Sequence, residues 1–153
     1  MNVIDLLKKD HDLVSDLFKQ YEKEKEGADS EEKKHALAKQ ICQELTVHAQ
    51  VEEEIFYPAL RAVLKETDMI AEAAVEHQTA KQLIAEIQGM GEPNEMFDAK
   101  VTVLGEYIDH HVKEERNEMF PKARAARKLD LVAMRDEIEA RKEELMAELG
   151  AMA

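Results

Sequence analysis

Apolar residues recur every three or four positions along most of the chain, the spacing of an α-helix that buries one face. Ile4, Leu7, His11, Val14, Phe18 and Tyr21 make the first stripe. Ile41, Leu45, His48, Glu52, Ile55 and Ala59 make the second, and Ile70, Ala73, His77, Ala80, Ile84 and Ile87 the third. Val101, Leu104, Ile108, His111, Glu115 and Met119 make the fourth, and Leu131, Met134, Ile138, Leu145 and Leu149 mark a last amphipathic segment without histidine. Breaks fall at Gly27-Ala28-Asp29-Ser30, Glu66-Thr67-Asp68, Gly89-Met90-Gly91-Glu92-Pro93-Asn94 and Leu129-Asp130. Ser30 and Asn94 are placed to cap the helices that follow. The pattern predicts helices over 2–26, 31–65, 68–89, 95–127 and 130–149. The fold class is all-α, with four long helices and one additional C-terminal helix.

Each long stripe has a histidine near its middle, and two have a glutamate one turn later. Burying such groups is unfavourable unless they are paired or hold a metal. Pro58 and Pro121 each stand ten residues after a stripe histidine, His48 and His111, and predict kinks in the second and fourth helices. His48-x-x-x-Glu52-x-x-x-Phe56-Tyr57-Pro58 resembles His111-x-x-x-Glu115-x-x-x-Met119-Phe120-Pro121. Asp10-His11 followed by Leu17-Phe18 resembles Glu76-His77 followed by Leu83-Ile84. The chain reads as a duplicated helical hairpin.

Composition narrows the picture. The 153 residues suit one domain, 1–153, with its own core. Hydrophobic residues make up 44%, with 5 Gly and 3 Pro, which argues against disorder and against a strand-and-turn protein. The single Cys42 excludes an internal disulfide and any multi-cysteine metal site, and reads as an inert thiol. The 34 acids against 21 bases give a charge of -13. A field of that sign repels phosphate, so nucleic acid and anionic membrane are not expected partners. No apolar run approaches a membrane span and the N-terminus has no signal-peptide core, so a cytoplasmic location is expected.

A His and a Glu four apart share one helix face. Two such pairs, His48/Glu52 and His111/Glu115, with His11 and His77 from the other helices, give four imidazoles and two carboxylates. Mixed nitrogen and oxygen donors suit iron, manganese or zinc. Six ligands are too many for one structural zinc and suit two ions with the glutamates as bridges. Glu32-x-x-His35 lies in a charged run, and His35 is expected to be solvated.

These residues resemble the hemerythrin-like, or HHE cation-binding, domain over roughly residues 5 to 125. The resemblance rests on Lys9-Asp10-His11-Asp12, His48-Ala49-Gln50-Val51-Glu52-Glu53-Glu54-Ile55-Phe56-Tyr57-Pro58, Glu76-His77, and His111-Val112-Lys113-Glu114-Glu115 with Phe120-Pro121. It implies an up-down-up-down four-helix bundle, about 2–127, holding two non-haem iron ions with an oxo or hydroxo bridge. His11, His48, His77 and His111 would be terminal ligands, and Glu52 and Glu115 bridges. Oxygen-carrying members have a fifth histidine one turn from the third-helix ligand, where this chain has Ala73 and Lys81. Glu44, Tyr107 and solvent are the candidates to take its place. Such members space the fourth-helix ligands by five, which fits His110; the repeat favours His111. The implied small ligands are dioxygen, peroxide or nitric oxide, in the context of oxidative stress. The missing histidine argues for redox chemistry, catalase- or peroxidase-like, over oxygen carriage. Reversible oxygen binding, iron or oxygen sensing, and storage are the alternatives, in a monomer or homodimer.

Overall fold

The first helix starts where its end groups are satisfied. Asn2 Oδ1 accepts the Asp5 amide and Asp5 Oδ2 accepts the Asn2 amide, both at 3.1 Å, and α1 runs Val3–Glu24. In this computed structural model, residues 1–27, 31–91 and 94–152 are described. The expected cap at Ser30 lies outside them. Helix α2 spans Glu31–Val51, α3 Tyr57–Val63, α4 Asp68–Gly89, α5 Glu95–Glu114, α6 Phe120–Ala125 and α7 Leu131–Met152. Asn94 caps α5 as expected, its Oδ1 accepting the Phe97 amide at 2.9 Å. Asp130 does the same for α7, accepting the Ala133 amide at 2.9 Å.

The kinks expected at the prolines take a definite form. A π turn, Glu52–Phe56, joins α2 to α3, and a second, Glu115–Met119, joins α5 to α6. Proline has no amide hydrogen and its ring crowds the carbonyl four residues back. The turn upstream widens, and the Tyr57 and Phe120 amides bond five residues back to Glu52 and Glu115. The extra residue rotates the buried face by one position. Beyond Glu52 the fully buried residues are Phe56, Tyr57 and Leu60, whereas Ile55 and Ala59 of the predicted stripe are only half-buried.

The α2–α3 and α5–α6 rods, with α1 and α4, form a four-helix bundle, and α7 packs on α1 and α2. Two apolar layers fill it. One holds Leu7, Val51, Phe56, Leu60 and Phe120, and α7 adds Met134, Ile138 and Leu145 to it. The other holds Val14, Tyr21, Ile41, Ile84, Phe97 and Leu104. His11, His77, His111 and Glu115 lie between these layers in sequence, His48 and Glu52 lie at the start of the first layer on their helix, and all six are buried. Among the described residues no helix is long and apolar enough to cross a membrane.

Candidate metal centre

All six predicted site residues come together. The ligand atoms of His11, His48, Glu52 and Glu115 lie within 4.8 Å of one another, and so do those of Glu52, His77 and His111. Glu52 belongs to both groups. Its Oε1 is 3.1 Å from His48 Nε2 and 3.4 Å from His77 Nε2. Glu115 also spans them, with Oε1 3.2 Å from His11 Nε2 and Oε2 3.1 Å from His111 Nε2. The duplication is visible in the rings. The His11–His48 and His77–His111 centroids are both 5.0 Å apart, both at 63°.

These close approaches are not all hydrogen bonds. His11 Nε2, His48 Nε2, both Glu52 oxygens and Glu115 Oε1 are buried with no hydrogen-bond partner. An unsatisfied buried polar atom costs about 1–3 kcal/mol. Four of the five, His11 Nε2, His48 Nε2, Glu52 Oε1 and Glu115 Oε1, still face an imidazole or carboxylate at 3.1–3.4 Å. Buried imidazole nitrogens and carboxylate oxygens gathered at shared points between two apolar layers fit a metal ion, which would relieve that penalty.

A second ring of groups holds the imidazoles. His48 Nδ1 is 3.1 Å from Asp10 Oδ2, His77 Nδ1 is 3.0 Å from Glu53 Oε2, and His111 Nδ1 is 3.0 Å from Glu76 Oε1. A carboxylate on Nδ1 leaves Nε2 free to coordinate. Lys142 of α7 reaches Asp10 Oδ1 at 2.6 Å, and Lys81 reaches Glu53 Oε1 at 2.6 Å. His11 is the exception, because Arg116 Nε donates to its Nδ1 at 3.4 Å. Burial pushes His48 down, but Glu52 and Asp10 outweigh it and hold its pKa well above the usual histidine value. Burial likewise opposes His111, whose pKa Glu115, Glu52 and Glu76 raise to about 9. Burial works against the Glu115 carboxylate too, yet His11 and His111 keep it ionised well below its ordinary value.

Tyr57, which the sequence reading did not weigh beside Glu44 and Tyr107, brings its hydroxyl to the cluster. Its hydroxyl donates to Glu115 Oε2 at 2.7 Å and lies 3.3 Å from His77 Nε2 and 3.5 Å from His111 Nε2. Burial, with Glu52 and Glu115 nearby, pushes its phenol well above the ordinary value. Glu44 is half-buried and belongs to neither buried group. Tyr107 lines a cavity of about 40 Å³ beside the imidazoles, with Val14, Leu45, Ala80, Ile84 and Ile108. His111 faces the buried cluster, whereas His110, its side chain 66% exposed, pairs with Glu114 on the surface. His35 is exposed as expected, and Cys42 is buried. Sequence reasoning gave no role at the site to Tyr57, Asp10, Glu53, Glu76, Arg116 or Lys142.

Comparisons with known proteins agree with this geometry. The chain is 29% identical over 120 residues to a DNA nickase of Nostoc sp., covering 78% of this chain but 33% of that protein. It therefore spans about a third of the length of that relative. It is 26% identical over 121 residues to the uncharacterized protein Rv2633c of Mycobacterium tuberculosis, covering 79% of this chain and 71% of the other. A crystal structure of a hemerythrin HHE cation binding domain-containing protein, the Rv2633c homolog from Mycobacterium kansasii, superposes with a TM-score of 0.79. It is 23% identical and the match covers 97% of this chain and 89% of that one, which establishes a shared fold. The hemerythrin HHE cation binding domain pattern matches residues 2–123, and the chain belongs to that family.

Proposed function

We propose that the chain binds two non-haem iron ions bridged by Glu52 and Glu115, and that this centre reacts with dioxygen or peroxide. The observation that carries the reading is the pair of buried His/Glu groups sharing Glu52, five of whose ligand atoms have no hydrogen-bond partner. His11 and His48 would hold one ion, and His77 and His111 the other. Nitrogen-and-carboxylate donors suit iron, and family membership favours it over manganese or zinc. When bound, a ferrous pair supplies electrons and an open coordination position for a small oxidant.

The chain's own groups do the rest. Tyr57 takes the place of the absent fifth histidine beside His77 and His111, and its hydroxyl donates to Glu115 Oε2. A phenol oxygen in that place favours a ferric ion over a ferrous one, which supports redox turnover over reversible carriage. The cavity beside the imidazoles has a mostly apolar wall and room for a ligand of a few atoms. The nicking activity in the name of the Nostoc relative is not carried over, because a charge of -13 repels DNA phosphate.

The test is a visible spectrum. Protein loaded anaerobically with ferrous iron is exposed to air and then flushed with argon. Irreversible conversion to a ferric spectrum, followed by oxygen evolution on adding peroxide, is the expected result. A band that disappears on flushing contradicts the redox reading and establishes reversible oxygen binding.

A further inference from the structure

The two halves of the duplication place equivalent residues around equivalent imidazoles. Asp10 and Glu76 occupy matching positions, each one residue before the first histidine of its half. Each binds the second histidine of its half, His48 and His111. At two other matching positions the halves part. Glu53 follows Glu52 and accepts from His77, whereas Arg116 follows Glu115 and donates to His11. Tyr57, five residues after Glu52, brings a hydroxyl to His77 and His111. Phe120, five residues after Glu115, lays a flat ring against His11, with centroids 5.9 Å apart and planes at 6°.

We propose that the two metal positions are unequal by construction, that the His77–His111 position fills first, and that Arg116 is the positioning residue that weakens the other. This rests on the reading that the six buried groups bind two ions. A histidine that coordinates through Nε2 carries its proton on Nδ1. At His48, His77 and His111 a carboxylate receives that proton. At His11 the proton would face the Arg116 guanidinium, which offers only donors. His11 can become a ligand only when Arg116 gives way. Arg116 is held where it is, because Nη2 bonds the Lys8 carbonyl at 3.0 Å and Asp12 Oδ1 at 2.9 Å.

Charge acts in the same direction. Each position has one lysine behind an imidazole carboxylate, Lys142 through Asp10 and Lys81 through Glu53. These balance. Among the groups bonded directly to the imidazoles, what remains is a guanidinium paired with a largely exposed Asp12 beside His11, and an acid, Glu76, beside His111. A cation is therefore less welcome at the first position. The chain would spend part of its life with one resident ion and one exchangeable ion, so iron supply could set how much of the two-ion centre exists.

Zinc is the probe, because it is diamagnetic and stable in air. Metal-depleted full-length protein is titrated by calorimetry. Wild type is expected to take up two ions in two steps, with H77A abolishing the tight step and H11A the weak one. R116Q, whose amide oxygen can accept the His11 proton, is expected to tighten the weak step by about tenfold, the scale of such outer contacts. R116K keeps a cation there and is expected to behave as wild type. In zinc-loaded R116Q the His11 Nδ1 proton should move downfield and exchange more slowly, a change that lost packing alone does not produce. Two wild-type steps of equal affinity, or a weak step that R116Q leaves unchanged or weakens further, overturns the proposal. Wild-type protein that binds no zinc overturns the metal-site reading beneath it.

Discussion

Tyr57 is the residue that most distinguishes this site, and the proposed function gives it two separable jobs. In the metal-free protein its hydroxyl satisfies Glu115 Oε2 at 2.7 Å, a bond to a charged acceptor. Tyr57→Phe should therefore lower stability by about 1.5–3 kcal/mol in urea unfolding of metal-free protein. In the iron-loaded ferric protein the same substitution should remove a phenolate-to-iron band from the visible spectrum without reducing the iron count. A spectrum unchanged by Tyr57→Phe contradicts the role given to Tyr57. Cys42 yields a prediction of the opposite kind. Burial pushes its thiol from an ordinary 9.0 up to about 12, so the folded protein should not react with a thiol reagent at pH 8, while the denatured protein should. Any stability that this protonated thiol contributes is full below pH 9.0 and is lost as pH rises toward about 12. The six buried site residues were legible because histidine and glutamate are conspicuous on an apolar stripe. Their partners were less so. The repeated Asp10-His11 and Glu76-His77 pairs were noticed, but each acid serves a histidine on another helix, and spacing along one helix cannot reveal that.

At the scale of the elements, the π turns explain what an unbroken helical period missed. A strict 3.6-residue period carried the second stripe on to Ile55 and Ala59. The inserted residue instead turns Phe56, Tyr57 and Leu60 inward, and Tyr57 thereby reaches the site. The prolines were visible in the sequence, but a proline announces a disturbance without saying whether the helix bends, stops or widens. The helix existence, order and caps were legible because the stripes are long and the breaks few. The trailing helix was legible as amphipathic, while its partner was not. It proves to be part of the core. Ile138 is 0% exposed, and Ile138→Ala should lower unfolding stability by about 2–5 kcal/mol. Asn94→Ala, which removes only a cap bond, should cost about 1 kcal/mol in the same assay. Equal effects would mean that α7 is docked only loosely. Arg141 adds a polar tie from α7 to the first π turn, bonding Glu54 at 2.9 and 3.2 Å.

At the scale of the whole molecule, a net charge of -13 surrounds a centre built to take cations. Such a field raises the local concentration of ferrous ions and is screened by salt. The rate of iron uptake by metal-depleted protein should fall as sodium chloride rises from 10 mM to 500 mM, with little change in the final iron count. A rate independent of salt would mean that a step inside the protein, such as displacement of Arg116, limits uptake. The molecule places four imidazoles and two carboxylates between two apolar layers, and that arrangement is costly unless something binds there. The most direct test of the central claim is therefore the iron content of purified, anaerobically loaded protein, measured by elemental analysis. Wild type and His35→Ala should hold two iron ions per chain, and Glu52→Ala and Glu115→Ala fewer than one. Equal iron in all four proteins would contradict the assignment of the centre.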